Sequence, residues 1–245
     1  MRQKLRNAIL LISLLAFPIT LNFFSPYLSV NGAAQGVVSG SLALFGLLFL
    51  SSLVLGRAFC GWLCVGGCLQ DIAMKVNARR RPGFHWIKFL IWVPWFSGIV
   101  ILAARAGGLK RIEPLFMMDS AVSVAQPANY FVYYAVLALI LGLAFASGRH
   151  AFCHYSCWMA PFMMIGRKLR NTSGWRSLQL RAQPKKCRHC LTCTQNCPMS
   201  IDVHAKVLSG DMEHSDCILC GQCVDNCKPK VITYSFAGRN KGARP

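Results

Sequence analysis

The chain has 245 residues, of which 54% are hydrophobic and only 14% charged, with 13 cysteines and a formal net charge of +19. Soluble domains carry about a quarter charged residues, so this composition excludes an ordinary soluble fold and calls for several membrane spans. Nucleic-acid binding, the other usual reading of such basicity, is disfavoured because the basic residues flank apolar segments and no basic–aromatic recognition motif occurs.

Residues 1–7 form a basic start, and an apolar run with Pro18 inside it follows from Ala8 to Phe24. Small residues at 32–34 resemble a signal-peptide cleavage site, but the apolar run exceeds a usual signal core, so an uncleaved first span is predicted. Val37 to Leu55 is an uncharged second span that ends in Gly56-Arg57 and a cysteine motif. A basic connector (74–85) leads to a third span, Trp86 to Ala104. There Lys88 is expected to snorkel to the lipid interface and Pro94 to kink the helix. After a loop at 105–127, Ala128 to Ser147 forms a fourth span, again ending in Gly-Arg and a cysteine motif. Lys and Arg number 24 on the N-terminal, connector and C-terminal side against 3 on the other, which predicts both termini in the cytoplasm of a prokaryotic cell, beneath its inner membrane.

Gly56-Arg57-Ala58-Phe59-Cys60-x-x-x-Cys64 is repeated as Gly148-Arg149-His150-Ala151-Phe152-Cys153-x-x-x-Cys157, with one residue inserted. The membrane domain, residues 1–165, therefore reads as two copies of a two-span hairpin. Each cysteine pair is spaced i, i+4, which on a helix puts both sulfurs on one face. Brought together, Cys60, Cys64, Cys153 and Cys157 would supply four thiolates to a third iron–sulfur or metal site. Two alternatives stand beside that reading: redox-active thiols with a pKa lowered by Arg57 and Arg149, or small buried hydrophobes. Cys68 reads as a packed thiol, with a spare ligand as the alternative, and His150 and His154 as interfacial polar residues, with metal ligation as theirs. No histidine lies deep in a span, which argues against membrane b-type haem.

Residues 166–183 are a basic linker, lying on anionic lipid or simply solvated. Residues 184–245 carry two cysteine runs, Cys187-x-x-Cys190-x-x-Cys193-x-x-x-Cys197 and Cys217-x-x-Cys220-x-x-Cys223-x-x-x-Cys227. This is the pattern of bacterial two-cluster ferredoxins, in which the fourth cysteine of each run ligates the other cluster. One [4Fe–4S] cluster is expected on Cys187, Cys190, Cys193 and Cys227, the second on Cys217, Cys220, Cys223 and Cys197. Two runs of this length do not suit zinc, which takes paired C-x-x-C motifs. Lys185, Lys186, Arg188, Lys228 and Lys230 flank the runs, as a solvated basic face or as a dock for an acidic partner. The predicted fold is an all-α bundle of four transmembrane helices joined to a small α+β ferredoxin domain.

The segments GRAFCGWLC and GRHAFCHYSC, with the paired ferredoxin runs, resemble the NapH-like family of membrane ferredoxins and its NosR-type and CcoG-type relatives. Members commonly have Pro after the second cysteine of each motif, where this chain has Val65 and Trp158. The resemblance implies electron transfer between the quinone pool and a redox partner protein, a reductase or another carrier. It also leaves open a stand-alone quinol or metal-ion oxidoreductase, or a redox-sensing assembly or regulatory protein. Glu113 and Asp119 on the outer loop read as ordinary loop acids, or, in the enzyme reading, as the acids that would handle quinol protons.

Overall fold

The computed structural model describes residues 1–80, 86–118 and 122–238. Helix α1 (Arg2–Leu15) stops at Ala16, and the chain resumes as α2 (Phe17–Thr20) and a 3-10 turn (Leu21–Phe24) after a 55° bend. Pro18 sits in the first turn of the second piece, where its missing N–H would break a continuous helix. Helix α3 (Pro26–Ala34) is capped by the Ser25 hydroxyl, which accepts from the Leu28 N–H at 3.4 Å. Strand β1 (Val37–Ser39) then enters α4 (Gly40–Leu55).

Two short helices, α5 (Ala58–Trp62) and α6 (Val65–Ala73), lead to α7 (Ile87–Arg105), which continues through Pro94 as one helix. Strand β2 (Arg111–Glu113) pairs with β1 in parallel, Val37 opposite Arg111. Helix α8 (Pro127–Ser147) is followed by α9 (Ala151–Tyr155) and α10 (Ala160–Ser173).

Helices α7 and α8 are long and apolar enough to cross a membrane, and the bent α1–α2 segment is a third candidate. The expected span at 37–55 is shorter than predicted: α4 has 16 residues, because the first three are drawn into the strand pairing with β2. At 1.5 Å per residue that helix reaches about 24 Å, short of a hydrocarbon core about 30 Å thick.

The internal repeat is also a structural one. Both α4 and α8 end at a glycine with positive φ (Gly56 +58°, Gly148 +96°), and each turn opens a five-residue helix. A Cβ on Gly148 would strike the Arg79 backbone, so glycine is needed there for space as well as for conformation. Helix α10 lies along α4, with Gly166 against Phe49 and Ser52, and an aromatic layer locks the bundle: Phe45 stacks on Phe162 at 5.5 Å, and Trp92 on Phe96 at 4.8 Å.

Strand β3 (Ser177–Ala182) opens the cysteine-rich part, which continues through α11 (Thr192–Gln195), α12 (Val203–Leu208) and α13 (Gln222–Asp225) to β4 (Ile232–Ala237). β3 and β4 pair antiparallel, Leu180 opposite Tyr234. The stretch 166–183, read from sequence as a linker, thus holds the end of α10 and one strand of the sheet that closes this part. Arg167 and Arg170 within it are buried against Glu213, not spread on headgroups.

Candidate metal centres

The two cysteine runs adopt the same backbone. Left-handed residues fall at matching offsets: His189, Leu191 and Ser200 in the first run, Leu219, Gly221 and Lys230 in the second. Alternating left- and right-handed residues turn successive N–H groups inward, as an anionic iron–sulfur core requires. One cavity is lined by Cys187, Cys190, Cys193 and Cys227 and another by Cys217, Cys220, Cys223 and Cys197, so the fourth thiol of each run faces the other run's cavity. Apolar cover comes from Ile201, Val203, Val231 and Ile232. The donor set and the backbone both fit [4Fe–4S] cubanes. In the free thiols, burial pushes Cys220 up to about 12 and Cys197 up to about 11. Cys190 is held below its ordinary value by hydrogen bonding to Thr192.

The repeat brings its four thiols together. Cys60, Cys64, Cys153 and Cys157 are all buried in one core cluster. Burial, reinforced by the charges of one another, pushes Cys64, Cys153 and Cys157 upward. Gln70 donates to Cys153 Sγ at 3.1 Å and accepts from the Phe152 N–H at 2.9 Å, fixing α6 against α9. The Arg57 guanidinium lies 3.9 Å from Cys60 Sγ. At Cys153 and Cys157 burial outweighs Arg57, and Arg149 points elsewhere, donating to the Gln195 and Cys197 carbonyls at 2.6 and 3.3 Å. Cys64, Cys153 and Cys157, raised by burial and then by the charges of their neighbours, are suited to ionise only with a cationic centre among them. An apolar cavity opens beside Cys64, lined by Phe17, Leu21, Asn22, Tyr27, Val136 and Trp158, among others.

The quartet lies directly under the second cysteine run. A Cβ on Gly61 would collide with the Ile218 carbonyl, Trp62 Nε1 donates to the Leu219 carbonyl at 3.0 Å, and Gln3 Nε2 to that of Cys220 at 3.1 Å. Each Gly-Arg of the repeat reaches one run: Arg57 donates to the Ser215 carbonyl and pairs with Asp216 at 3.3 Å, while Arg149 holds the end of the first run. Lys88 corrects the snorkelling expectation. It is fully buried, with Nζ 2.5 Å from Asp216 Oδ1, because the cysteine-rich part caps the end of α7 and offers it a carboxylate.

His150 and His154, expected at the interface, are likewise fully buried, and His150 faces Asp71 at 2.9 Å, which also pairs with Arg6. Cys187, His189 and His204 bring their ligand atoms within 4.8 Å of one another, so two imidazoles neighbour the first cavity. The residues that sequence reasoning passed over are Gln70, Asp71, Glu213 and Asp216. For the three acids the signal was scarcity: Asp and Glu number 8 in the whole chain, and these three and Asp225 pair with cations at this junction. Glu113 is exposed in β2, and Asp119 lies outside the described residues.

Glu213 illustrates what these acids do. It meets Arg167 through two bonds of 2.5 and 2.9 Å and accepts from Asn171 at 2.8 Å. Burial raises its pKa, but Arg167, Asn171 and Arg170 more than offset this and hold it below the usual glutamate range. A depressed acid stabilises the fold above its unfolded pKa of about 4.3 and loses that contribution only as pH falls through the lower folded value. Glu213→Gln is therefore expected to loosen the junction at pH 7, and to matter progressively less below about pH 4. Protease susceptibility of wild type and variant across pH checks this, and equal susceptibility at pH 7 would remove the role.

Comparison with known proteins gives the same picture. The 4Fe-4S dicluster domain matches residues 179–228, and a 4Fe-4S binding domain matches twice, at 39–88 and 129–176, once per repeat. Ferredoxin-type protein NapH of Escherichia coli is 24% identical over 88% of this chain and 76% of its own length. YccM of the same organism is 26% identical over 86% of this chain and 59% of its own. Regulatory protein NosR of Pseudomonas aeruginosa is 28% identical over 74% of this chain but only 26% of its own length. No solved structure matches the chain.

Proposed function

We propose, for a chain that belongs to the NapH/NosR-like membrane ferredoxins and transfers electrons through iron–sulfur centres, that it carries electrons from a membrane quinol to a soluble redox partner. In this reading α1–α2, β1–α4, α7 and α8 are four spans of an inner-membrane protein with its termini and cysteine runs in the cytoplasm, as the Lys and Arg distribution favours. Cys187, Cys190, Cys193 and Cys227 hold one [4Fe–4S] cluster, and Cys217, Cys220, Cys223 and Cys197 a second. Cys60, Cys64, Cys153 and Cys157 hold a third centre. The observation that carries the reading is the placement of the quartet between the apolar cavity at Cys64 and the backbone of residues 218–220.

When bound, such clusters supply one-electron carriers. The chain's own work is to line them up, exclude water and seat the substrate. Phe17, Leu21, Val136 and Trp158 offer the apolar surface a quinone ring and its tail require, and Asn22 and Tyr27 bring polar side chains to that cavity. Oxidation of one quinol releases two electrons and two protons, so a quinol at this cavity needs a one-electron acceptor within reach, and a metal centre held by Cys60, Cys64, Cys153 and Cys157 would supply it. The test is anaerobic mixing of the holoprotein with a menaquinol analogue, followed as bleaching of the visible absorption. Reduction without any partner protein is expected, and Val136→Trp, which fills the cavity, should slow it at least tenfold. Protein that is reduced by dithionite but never by quinol would overturn the quinol reading while leaving iron–sulfur transfer intact.

A further inference from the structure

Two cysteine runs with the same backbone meet opposite surroundings. The middle thiol of the second run, Cys220, is buried beneath Gln3, Gly61 and Trp62. Its counterpart in the first run, Cys190, is exposed, as is Leu191 beside it at 45%. Lys228 acts electrostatically on that thiol, Arg188 lines the same cavity, and Lys185, Lys186 and Lys230 lie close by in sequence, none of the five buried. No acid occurs in residues 181–200 or 226–238, so nothing in those segments neutralises the patch. From this asymmetry we infer that the Cys190 edge is the docking face for a soluble one-electron carrier protein with an acidic surface. The inference rests on the function proposed above and adds the exit: the second run faces the membrane thiols, and the first faces the partner.

An exposed apolar residue beside exposed cations suits a transient redox interface, where apolar surface gives contact and charge gives encounter rate and orientation. The transfer is one electron from the reduced centre, which is oxidised, to the partner's cofactor, which is reduced, with no bond made or broken. Exposure of Cys190 keeps the tunnelling distance to a docked partner short, whereas at Cys220 two elements of this chain stand in the way.

The test uses the full holoprotein in nanodiscs with two haem proteins of opposite charge as probes, acidic cytochrome b5 and basic cytochrome c. Binding affinity and the rate of haem reduction are measured at about 20 and about 300 mM salt, where screening lengths differ severalfold. For wild type, cytochrome b5 binding and reduction should fall about tenfold or more with salt. The triple variant Lys185→Glu, Arg188→Glu, Lys228→Glu should lose a similar factor at low salt, with iron content unchanged and cytochrome c reduced as fast as before or faster. Charge reversal at Lys168 and Arg176, exposed elsewhere, should have little effect. Equal loss in that control would assign the effect to net charge alone and overturn the docking face. Equal slowing toward both haem proteins would assign it to the cluster itself and overturn the docking face in the same way. An iron-free wild type would instead bring down the underlying function.

Discussion

Changing Cys60 and Cys153 together to serine is expected to lower iron content by about four atoms per chain while leaving the two ferredoxin-type clusters in place. The pair of substitutions removes one thiol from each repeat, and the remaining Cys64 and Cys157 cannot hold a cubane alone. The two-run domain has its own eight thiols, and its cavities share no lining cysteine with the quartet. Reduction by dithionite should therefore persist, and reduction by quinol should fail. Cys68→Ser is the control: that thiol lies among Asp71 and Arg6, and its loss should cost no iron. Iron content unchanged in the double variant would eliminate the third centre and return the quartet to packing.

Much of this is legible in the sequence because the signals are local. Cysteine spacing is dictated by a covalent object of fixed size, so the two runs can be read without a fold. The repeated Gly-Arg and Phe-Cys segments mark paired turns because a glycine with positive φ and a short helix are made within a few residues. What cannot be read are choices made between distant segments. Val37–Ser39 is as uncharged as the helix after it, and only the partner strand at 111–113 shows that it is extended. Lys88 has the sequence context of a snorkelling residue, and only the arrival of Asp216, 128 positions later, turns it inward. The strand at 177–182 looks like linker because its pairing partner lies at the far end of the domain.

That late-arriving aspartate should be the most sensitive residue of the junction. Asp216 is fully buried between the Arg57 guanidinium and the Lys88 ammonium, immediately before Cys217, so it ties α5 and α7 to the second cysteine run. Burial tends to lower the Arg57 pKa, and the groups it faces, Asp216 among them, more than offset that, keeping the guanidinium charged. Asp216→Asn would leave two buried cations facing a neutral amide, a change that typically costs about 3–5 kcal/mol. Lys88→Met removes one of two cations and leaves an Arg57–Asp216 pair, so the carboxylate keeps a partner and the cost should be smaller. If protease cleavage follows the population of the open junction, about 3 kcal/mol corresponds to roughly a hundredfold faster nicking around residues 174–183. The expected order is therefore Asp216→Asn well above Lys88→Met, and Lys88→Met nearer to wild type. Equal rates for the two variants would mean that Lys88, not the shared carboxylate, is the tie, and an unchanged rate for Asp216→Asn would mean that the junction is held by Gly61, Trp62 and Glu213 without it.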